Sequence, residues 1–430
     1  MYILSRTHTV RRSDNLLILS RRYYGVGTKI NLIVNANPQI QGRVKTTSGN
    51  PVIHTGEKLI IPDEIENLTN PTQQSTVPES IKNVSENAIS IIIDNNLFSY
   101  FTDYSITFEI DTFDTFSFSA PFDKDLFNYR ESFRPFSYKP VAIYYGKNLI
   151  LTGVLLAPES SATPGRKEVS IKGYSKPGIL NDCMMPISSF PLEFNNQTLK
   201  QITPSICKSY GLKYRFLSSS GNPFEKVSIG IDKNAFSFLS DLSTQRGLLL
   251  SNDTQGNLIF WKSGTGNNIA SFKEGDLPFI SCNSTFNYQS FYSHITGITS
   301  TTESKNSAKY TYENKYLTKM GILRNYNFIA SDSKDSEIKQ AVLAKAGQMF
   351  GECVSYELKV QGHKDRGGSL YEKNKLISLY SPNAMIYKET ILLIKSLTMS
   401  HTINGDMTSF DLVLPGSYTG EIPEVFPWEE

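Results

Sequence analysis

The chain has 430 residues, of which 39% are hydrophobic and 12% aromatic, so we expect two to four domains with packed cores. It contains no run of about 18 apolar residues, which excludes a transmembrane helix of the usual length. Residues 1–6 lack the apolar core of a secretory signal, and a soluble protein made in the cytoplasm is therefore expected.

The near-neutral net charge of +2 conceals two unlike parts. Residues 1–62 carry nine Lys and Arg against two acids, Asp14 and Glu57, which is a net +7 and leaves −5 for the remainder. Residues 66–88 are rich in Asn, Thr, Gln, Ser and Pro, a composition typical of a flexible tether. The sequence thus predicts a small basic module joined to a larger, mildly acidic body.

The basic module is predicted to have the element order strand, helix, helix, strand. The first helix is predicted from apolar residues on one helical face, after two residues that can cap it; the face is Leu16, Leu17, Leu19, Tyr23 and Tyr24, and the caps are Ser13 and Asp14. A second apolar stretch, 30–34, leads into a turn at Asn37-Pro38. Short strand signals at residues 9–10 and 59–61 flank the two helices.

Three motifs of this module occur in a fixed order: TVRRSDNL at 9–16, Asn37-Pro38, and GEKLIIP at 56–62. Together they resemble a LysM module, which implies a groove between the first loop and the Asn-Pro turn. The candidate groove residues are Ser13, Asp14, Asn15, Leu16, Asn37, Pro38 and Gln39. Ser13 replaces the family's usual Gly, and the loop 41–55 is enlarged. We therefore interpret the module as a clip for a neighbouring protein, with N-acetylglucosamine polymers as the alternative ligand.

The body reads as mainly β (α+β). Residues 104–110 alternate apolar and polar side chains, which indicates a strand with one buried face. Three hairpins are predicted, at 141–156, 247–261 and 401–414, the last around Asn404-Gly405. Helices are predicted at 197–210, 235–246 and 334–350, and Pro204 predicts a kink or a split in the first.

A catalytic site is not supported by the residues. None of the five histidines has a metal-ligand spacing, and the four cysteines are interpreted as buried reduced thiols. Glu109, Asp111 and Asp114 form an acidic cluster that resembles a glycosidase pair, but on an alternating strand we interpret it as a solvent face. The sequence predicts no enzyme, no cofactor and no metal.

Three stretches of the body match one family in order and spacing: 148–183, 194–261, and 337–362 with the later strands 391–394 and 412–415. They resemble the baseplate hub protein of Mu-like contractile-tailed phages, which is related to type VI spike hubs. The resemblance implies two tube-like β-barrel domains with inserted α/β domains in each subunit. It also implies a homotrimer that joins a sixfold tail tube to a threefold central spike.

The resulting domain prediction is a LysM module at 1–64, a linker at 65–88, a first hub β-domain at 89–185, an inserted α/β domain at 186–275, a second hub β-domain at 276–415 with the helix 334–350, and an acidic C-terminal tail at 416–430. The expected partners are the tail tube protein, the spike, other baseplate proteins and, as an alternative ligand of the module, peptidoglycan. DNA is expected to pass the axial channel without specific binding. The expected location is the virion tail baseplate, assembled in the host cytoplasm. The competing hypothesis is a secreted LysM protein that binds the cell wall.

Overall fold

The computed structural model describes residues 5–12, 14–24, 30–40, 43, 51–62, 78–81, 84–98, 101–122, 125, 127–163, 166–264, 268–299, 309–330, 335–418 and 426–429. The chain divides into two compact units, Met1–Pro78 and Glu79–Glu430. Most of the tether predicted at 65–88 lies outside the described residues, as does Ser13 of the candidate groove.

The first unit has the element order expected from its sequence. Its elements are β1 (Ser5–Thr9), α1 (Leu16–Tyr24), α2 (Ile30–Ala36) and β2 (Lys58–Pro62). The two strands pair antiparallel, with Thr7 opposite Ile60. Apolar side chains from α1, α2, β2 and the flanking segments form one small core, comprising Val10, Leu16, Leu19, Ile33, Ile40, Leu59 and Ile61. The predicted strand, helix, helix, strand order is confirmed, while the LysM assignment stays a prediction.

The second unit is built mainly from strands. They are β3 (Ile89–Ile93), β4 (Asn96–Phe98), β5 (Asp103–Glu109), β6 (Thr115–Pro121), β7 (Pro140–Tyr145), β8 (Asn148–Thr163), β9 (Arg166–Ser175), β10 (Glu193–Gln197), β11 (Tyr214–Phe216), β12 (Phe224–Ser228), β13 (Leu249–Asn252), β14 (Leu258–Trp261), β15 (Asn268–Lys273), β16 (Phe279–Phe286), β17 (His294–Thr299), β18 (Lys309–Glu313), β19 (Asn325–Ala330), β20 (Val354–Gln361), β21 (Leu376–Ser381), β22 (Ile386–Thr402) and β23 (Gly405–Val413). The helices are α3 (Phe127–Ser132), α4 (Ile179–Asp182), α5 (Leu199–Ser209), α6 (Ala235–Gln245), α7 (Lys315–Lys319) and α8 (Asp335–Gly351).

Thirteen strands form one continuous sheet in the order β16-β20-β23-β22-β5-β6-β9-β8-β7-β3-β4, with β21 also paired to β22 and β15 to β21. Two separate tube-like barrels were expected, and the described strands contain no closed barrel. The reason is the antiparallel pairing of β5 with β22, which fuses the two halves of the body into one sheet. A single hydrophobic core accordingly contains residues of both halves, such as Ile106 and Leu397.

An inserted α/β layer follows β9. In it β11, β14 and β13 form a small sheet beside α5 and α6, over a core that includes Ile202, Leu239 and Phe260. The kink predicted at Pro204 stays a prediction, but the split predicted there as the alternative is wrong, because α5 is one helix of 11 residues. Its buried face, which includes Ile202 and Ile206, compensates for the backbone hydrogen bond that a proline cannot donate.

A second insertion lies between β16 and β20. Its three strands pair in the order β18-β17-β19, and α8 packs on them through Ile338, Val342 and Met349. The helix predicted at 334–350 is thus confirmed to within a residue at each end. The third predicted hairpin is also present, but Ile403 and Asn404 form its turn. Gly405, with φ of +94°, is the first residue of β23 rather than part of the turn.

Three further features bear on the sequence predictions. In the described part of the chain, no helix combines the length and hydropathy needed to cross a membrane. All four cysteines are unpaired, but Cys183 and Cys282 are partly exposed and not buried as expected. In the C-terminal tail, Phe426 is buried and stacks on Trp428 at 4.7 Å between ring centroids, so this segment packs on the body.

Candidate functional site

In the first unit, Asp14 lies at the centre of a hydrogen-bond cluster. Its Oδ2 accepts the Arg11 N–H at 2.8 Å and lies 2.8 Å from His8 Nε2, while its side chain has no solvent exposure. Burial acts to raise the pKa of this carboxyl, but the Arg11 N–H, the His8 ring and the Arg22 guanidinium outweigh it and hold the pKa below its usual value. Asp14 therefore stabilises the loop before α1 through internal hydrogen bonds.

Asn37 is another polar residue that is buried in this unit. Its Nδ2 donates to the Ile33 carbonyl at 2.7 Å and to the Ile60 carbonyl at 2.6 Å, and its Oδ1 accepts the Ile60 N–H at 2.7 Å. The side chain thus connects the end of α2 to β2. Gln39 Nε2 donates to Asn37 Oδ1 at 3.1 Å, which links the next turn to the same cluster.

The predicted groove residues consequently divide into two groups. Asn15 caps α1 by accepting the Ile18 N–H at 2.8 Å, and Leu16 is part of the core. With Asp14 and Asn37, these residues maintain the fold of the unit. Pro38 and Gln39 are exposed and available to a ligand. The groove itself stays a prediction.

In the second unit, the acidic cluster of β5 proves to be partly internal. Asp114, expected on a solvent face, is only 2% exposed. Its Oδ1 lies 2.5 Å from Lys373 Nζ, and its Oδ2 accepts the Asn252 amide at 2.8 Å. Burial raises the pKa of this carboxyl, and the Lys373 ammonium opposes that rise. The expectation failed because Asp114 lies beyond the alternating part of the strand, where β6, β13 and the loop before β21 converge.

Two hairpins of the large sheet repeat each other in register, one formed by β8 and β9 and the other by β22 and β23. Val154 pairs with Tyr174 as Leu393 pairs with Val413, and Thr163 pairs with Arg166 as Thr402 pairs with Gly405. Each hairpin has one bulge, whose extra residue is Leu156 in the first and Lys395 in the second. A β-bulge shifts the register locally and is a specific structural feature, so its recurrence at one position indicates an internal duplication.

The duplication extends to the neighbouring strands. The order β5-β6-β9-β8-β7 in the first half corresponds to β16-β20-β23-β22-β21 in the second, and every one of these pairings is antiparallel. The registers also agree: Thr115 meets Tyr174 as Ser355 meets Val413, and Thr107 meets Thr115 as Thr285 meets Ser355. The correspondence ends at β3 and β15, which pair antiparallel and parallel with their neighbours.

One difference between the halves leaves two edges open. The second part of β22, from Ser396 to His401, pairs with β5. The corresponding part of β8, 157–162, pairs only with β9 among the described strands. Likewise β16, the counterpart of β5, pairs with β20 alone in the same described set. The first half therefore has an open edge at β8 and the second half has an open edge at β16, and by analogy with the β22–β5 pair these two edges can pair with each other.

The side chains at the paired edge are buried, whereas those at the corresponding open edge are not. Tyr104, Ile106 and Phe108 of β5 are buried, whereas their counterparts Cys282, Ser284 and Phe286 are half-buried. In β8, residues 159–163 are all exposed. Sequence reasoning did not identify these edges, because no local pattern distinguishes a strand with one neighbour from a strand with two. The repeated hairpin with its bulge is the signal that would have identified these open edges.

Comparison with known proteins agrees with this fold. Residues 177–262 match the family model described as baseplate hub protein gp44-like, second domain. The chain is 21% identical over 330 residues to the baseplate hub protein gp44 of Escherichia phage Mu, covering 73% of this chain and 84% of the relative. The chain is similar to Mu-like baseplate hub proteins.

Two crystal structures share the fold. The 43 kDa tail protein of prophage MuSo2 from Shewanella oneidensis superposes with a TM-score of 0.65 at 20% identity, covering 77% of this chain and 99% of that protein. The tail protein from Neisseria meningitidis MC58 has the same TM-score at 15% identity, with 77% and 98% covered. These matches confirm the mainly β tail-protein fold. No cluster of metal-ligating side chains is present in the described parts of the chain.

Proposed function

We propose that this chain is the hub subunit of a contractile tail baseplate, a homotrimer that joins a sixfold tail tube to a threefold central spike. The similarity to Mu-like hub proteins supports the role. The observation that carries the proposal is the duplicated sheet with its two complementary open edges. Three copies with two equivalent halves present six equivalent surfaces, which is the number that a sixfold ring requires.

The junction within the chain provides the template for the junction between chains. Leu397 pairs with Phe108, Met399 with Ile106 and His401 with Tyr104. Transferred to the corresponding positions, this register places three residues of β8 opposite three residues of β16 in the next copy. The pairs are Pro158 with Phe286, Ser160 with Ser284, and Ala162 with Cys282. In three copies the β22–β5 and β8–β16 junctions alternate and close a ring.

The chemistry of the two edges suits this pairing. Exposed strand edges are often protected by charged residues or proline. Neither 157–162 nor 282–287 contains a lysine, and the protecting residues of the first segment are Pro158 and Glu159. The facing residues are mostly small or uncharged, so a strand can approach without repulsion between like charges. Pro158 lacks a backbone N–H and removes at most one hydrogen bond from the new ladder.

In this assembly the body has a mechanical and not a catalytic role. The ring surrounds an axial channel through which DNA or an effector passes, and a body with a net charge of −5 does not retain DNA by attraction to its phosphates. The first unit acts as a LysM-like clip for another baseplate protein. The expected location is the virion tail baseplate, assembled in the host cytoplasm, with the tube protein and the spike as partners.

A disulfide trap tests the ring. Ala162→Cys places a thiol opposite the native Cys282 of the next copy, where paired Cα atoms lie about 4.5–5.5 Å apart, within the range for a disulfide. Within one chain six strands lie between β8 and β16 in the sheet and the two strands are not paired, so we expect the bond to form between copies. We expect a covalent trimer on non-reducing gels.

Ser161→Cys is the matched control, because its side chain points to the opposite face of the strand. Equal cross-linking by the two variants would contradict the register. A protein that stays monomeric by light scattering at high concentration, both alone and with its spike, would contradict the proposed trimer.

The ligand of the first unit is tested by sedimentation with insoluble peptidoglycan. Because Asp14 and Asn37 are engaged in internal hydrogen bonds, we expect weak retention of both the full chain and segment 1–64. Strong retention that is lost in Gln39→Ala would identify a glycan site and would favour the cell-wall hypothesis for this unit.

A further inference from the structure

Tyr288 is a large aromatic residue in an exposed position directly beyond β16. Its side chain is 77% exposed, although its backbone belongs to a defined 3-10 turn, Tyr288–Ser290. Asn287 caps this turn by accepting the Gln289 N–H at 2.9 Å. A tyrosine with a fixed backbone loses little conformational entropy on binding, and such residues are enriched at the centre of protein interfaces.

The counterpart of Tyr288 in the first half of the body is Ile110, which follows β5 as Tyr288 follows β16. Ile110 is 0% exposed, and its N–H donates to the Lys395 carbonyl at 3.1 Å. Its side chain packs in a cluster with Leu393 and Val413, which are also completely buried. The junction within the chain therefore encloses this position fully.

The surface that would enclose Tyr288 is present on the other half of the body. The counterparts of Leu393 and Val413 are Val154 and Tyr174, which pair with each other across β8 and β9. Both residues are only half-buried. The Tyr174 ring packs closely on Gly178, where an added Cβ would come within 2.4 Å of the ring. Val154 and Tyr174 thus form an apolar surface that no residue equivalent to Ile110 covers within the described part of the chain.

We propose that Tyr288 of one copy inserts between Val154 and Tyr174 of the neighbouring copy. The partner is a second copy of this chain, and the inference rests on the proposed trimer. The contact anchors the end of the β8–β16 ladder, as Ile110 anchors the β22–β5 ladder within the chain. The tyrosine ring provides the apolar area that the small residues of the two edges lack.

The test is a double-mutant cycle on the full chain, read as the protein concentration at half-assembly in sedimentation velocity. We expect Tyr288→Ala and Val154→Ala each to raise this concentration by about tenfold or more, as for truncation of an interface anchor. The double variant should be little weaker than either single one, because both remove the same contact. Ile280→Ala, which truncates another exposed residue of β16 outside the ladder, should have no effect.

The outcomes separate this contact from the trimer itself. A trimeric wild type and a covalently trimeric Ala162→Cys variant, combined with unchanged assembly of Tyr288→Ala, would overturn the contact and leave the hub proposal intact. Absence of the trimer and of the cross-link would overturn both. Additive effects of the two substitutions would also overturn the contact. Thermal unfolding below the assembly concentration controls for folding, and Val154→Thr replaces Val154→Ala if the latter alters the monomer.

Discussion

The buried ion pair between Lys373 and Asp114 offers a sharp test of how the two halves of the sheet are joined. Lys373 precedes β21 in the second half, and Asp114 precedes β6 in the first. Their side chains are 11% and 3% exposed. Lys373 Nζ also donates to Ser251 Oγ at 2.9 Å. Lys373→Met keeps most of the volume of the lysine stem but leaves the carboxylate without its cation.

Removal of one partner from a buried ion pair costs about 3–5 kcal/mol, because the remaining charge is desolvated and uncompensated. We expect Lys373→Met to lower the free energy of unfolding by that amount near neutral pH. Lys375→Met is the matched control on the same loop. Its surface pair with Glu372, at 3.6 Å, is partly exposed, and such pairs contribute about 0–1 kcal/mol.

The pH dependence has a definite sign. Burial raises the pKa of Asp114 above the unfolded value of 3.8, and loss of the ammonium raises it further. A raised carboxyl pKa favours folding at low pH, and that contribution is lost as the pH rises through the folded pKa. The loss in free energy of unfolding caused by Lys373→Met should therefore be small near pH 4 and reach its full value near neutral pH. Adding Asp114→Asn to Lys373→Met should partly restore the stability.

Urea unfolding followed by tryptophan fluorescence provides the measurement. Both tryptophans, Trp261 and Trp428, belong to the second unit, so the signal does not report the first. Protein concentration is held constant because assembly adds to the measured stability. A variant as stable as the wild type near neutral pH, or a deficit that does not change with pH, would refute this account of the junction.

Two predictions concern the first unit. Asn37→Ala should expose the β2 amide of Ile60 to faster hydrogen exchange, with a loss of about 1–3 kcal/mol, because buried backbone groups of Ile33 and Ile60 lose their partner. Unchanged protection of Ile60 would contradict this role. Asp14, whose pKa is lowered, contributes stability above its unfolded value of 3.8 and loses it as the pH falls through the folded pKa. Asp14→Asn should therefore reduce the acid sensitivity of exchange in α1, and an equal acid response in both proteins would exclude it.

Local structure was predictable wherever one residue pattern determined it. The strand over 104–110 and the helices α6 and α8 follow from periodicity and capping, and Asn234 caps α6 by accepting the Ser237 N–H at 2.7 Å. The split predicted at Pro204 is absent because packing of α5 outweighs the local penalty of an interior proline. The turn at Ile403-Asn404 was displaced by one residue, since the register of β22 with β23 and not the Asn-Gly pair determines it.

The candidate interface was not predictable, because it depends on which strands lack a neighbour. The repeated hairpins share only two identical residues over Val154–Thr163 and Leu393–Thr402, at Ser161/Ser400 and Thr163/Thr402. A bulge and a register are properties of backbone pairing, and many side chains are compatible with them. The first unit shows the reverse case: Asn37 was predicted to line a groove, and its side chain makes internal hydrogen bonds.

In the trimer that we propose, the fusion of both halves into one sheet lets a single chain adapt between two symmetries. Two separate barrels would leave the angle between halves to a linker, whereas β22 and β5 fix it through six paired residues, 396–401 with 104–109. A closed ring then needs only one further kind of junction, between β8 and β16, with the same register. Because the halves differ outside their shared strands, in β3 and β15 and in the two insertions, the ring can be sixfold along its sheet and threefold on its outer surfaces. A hub that contacts both a sixfold tube and a threefold spike requires that combination.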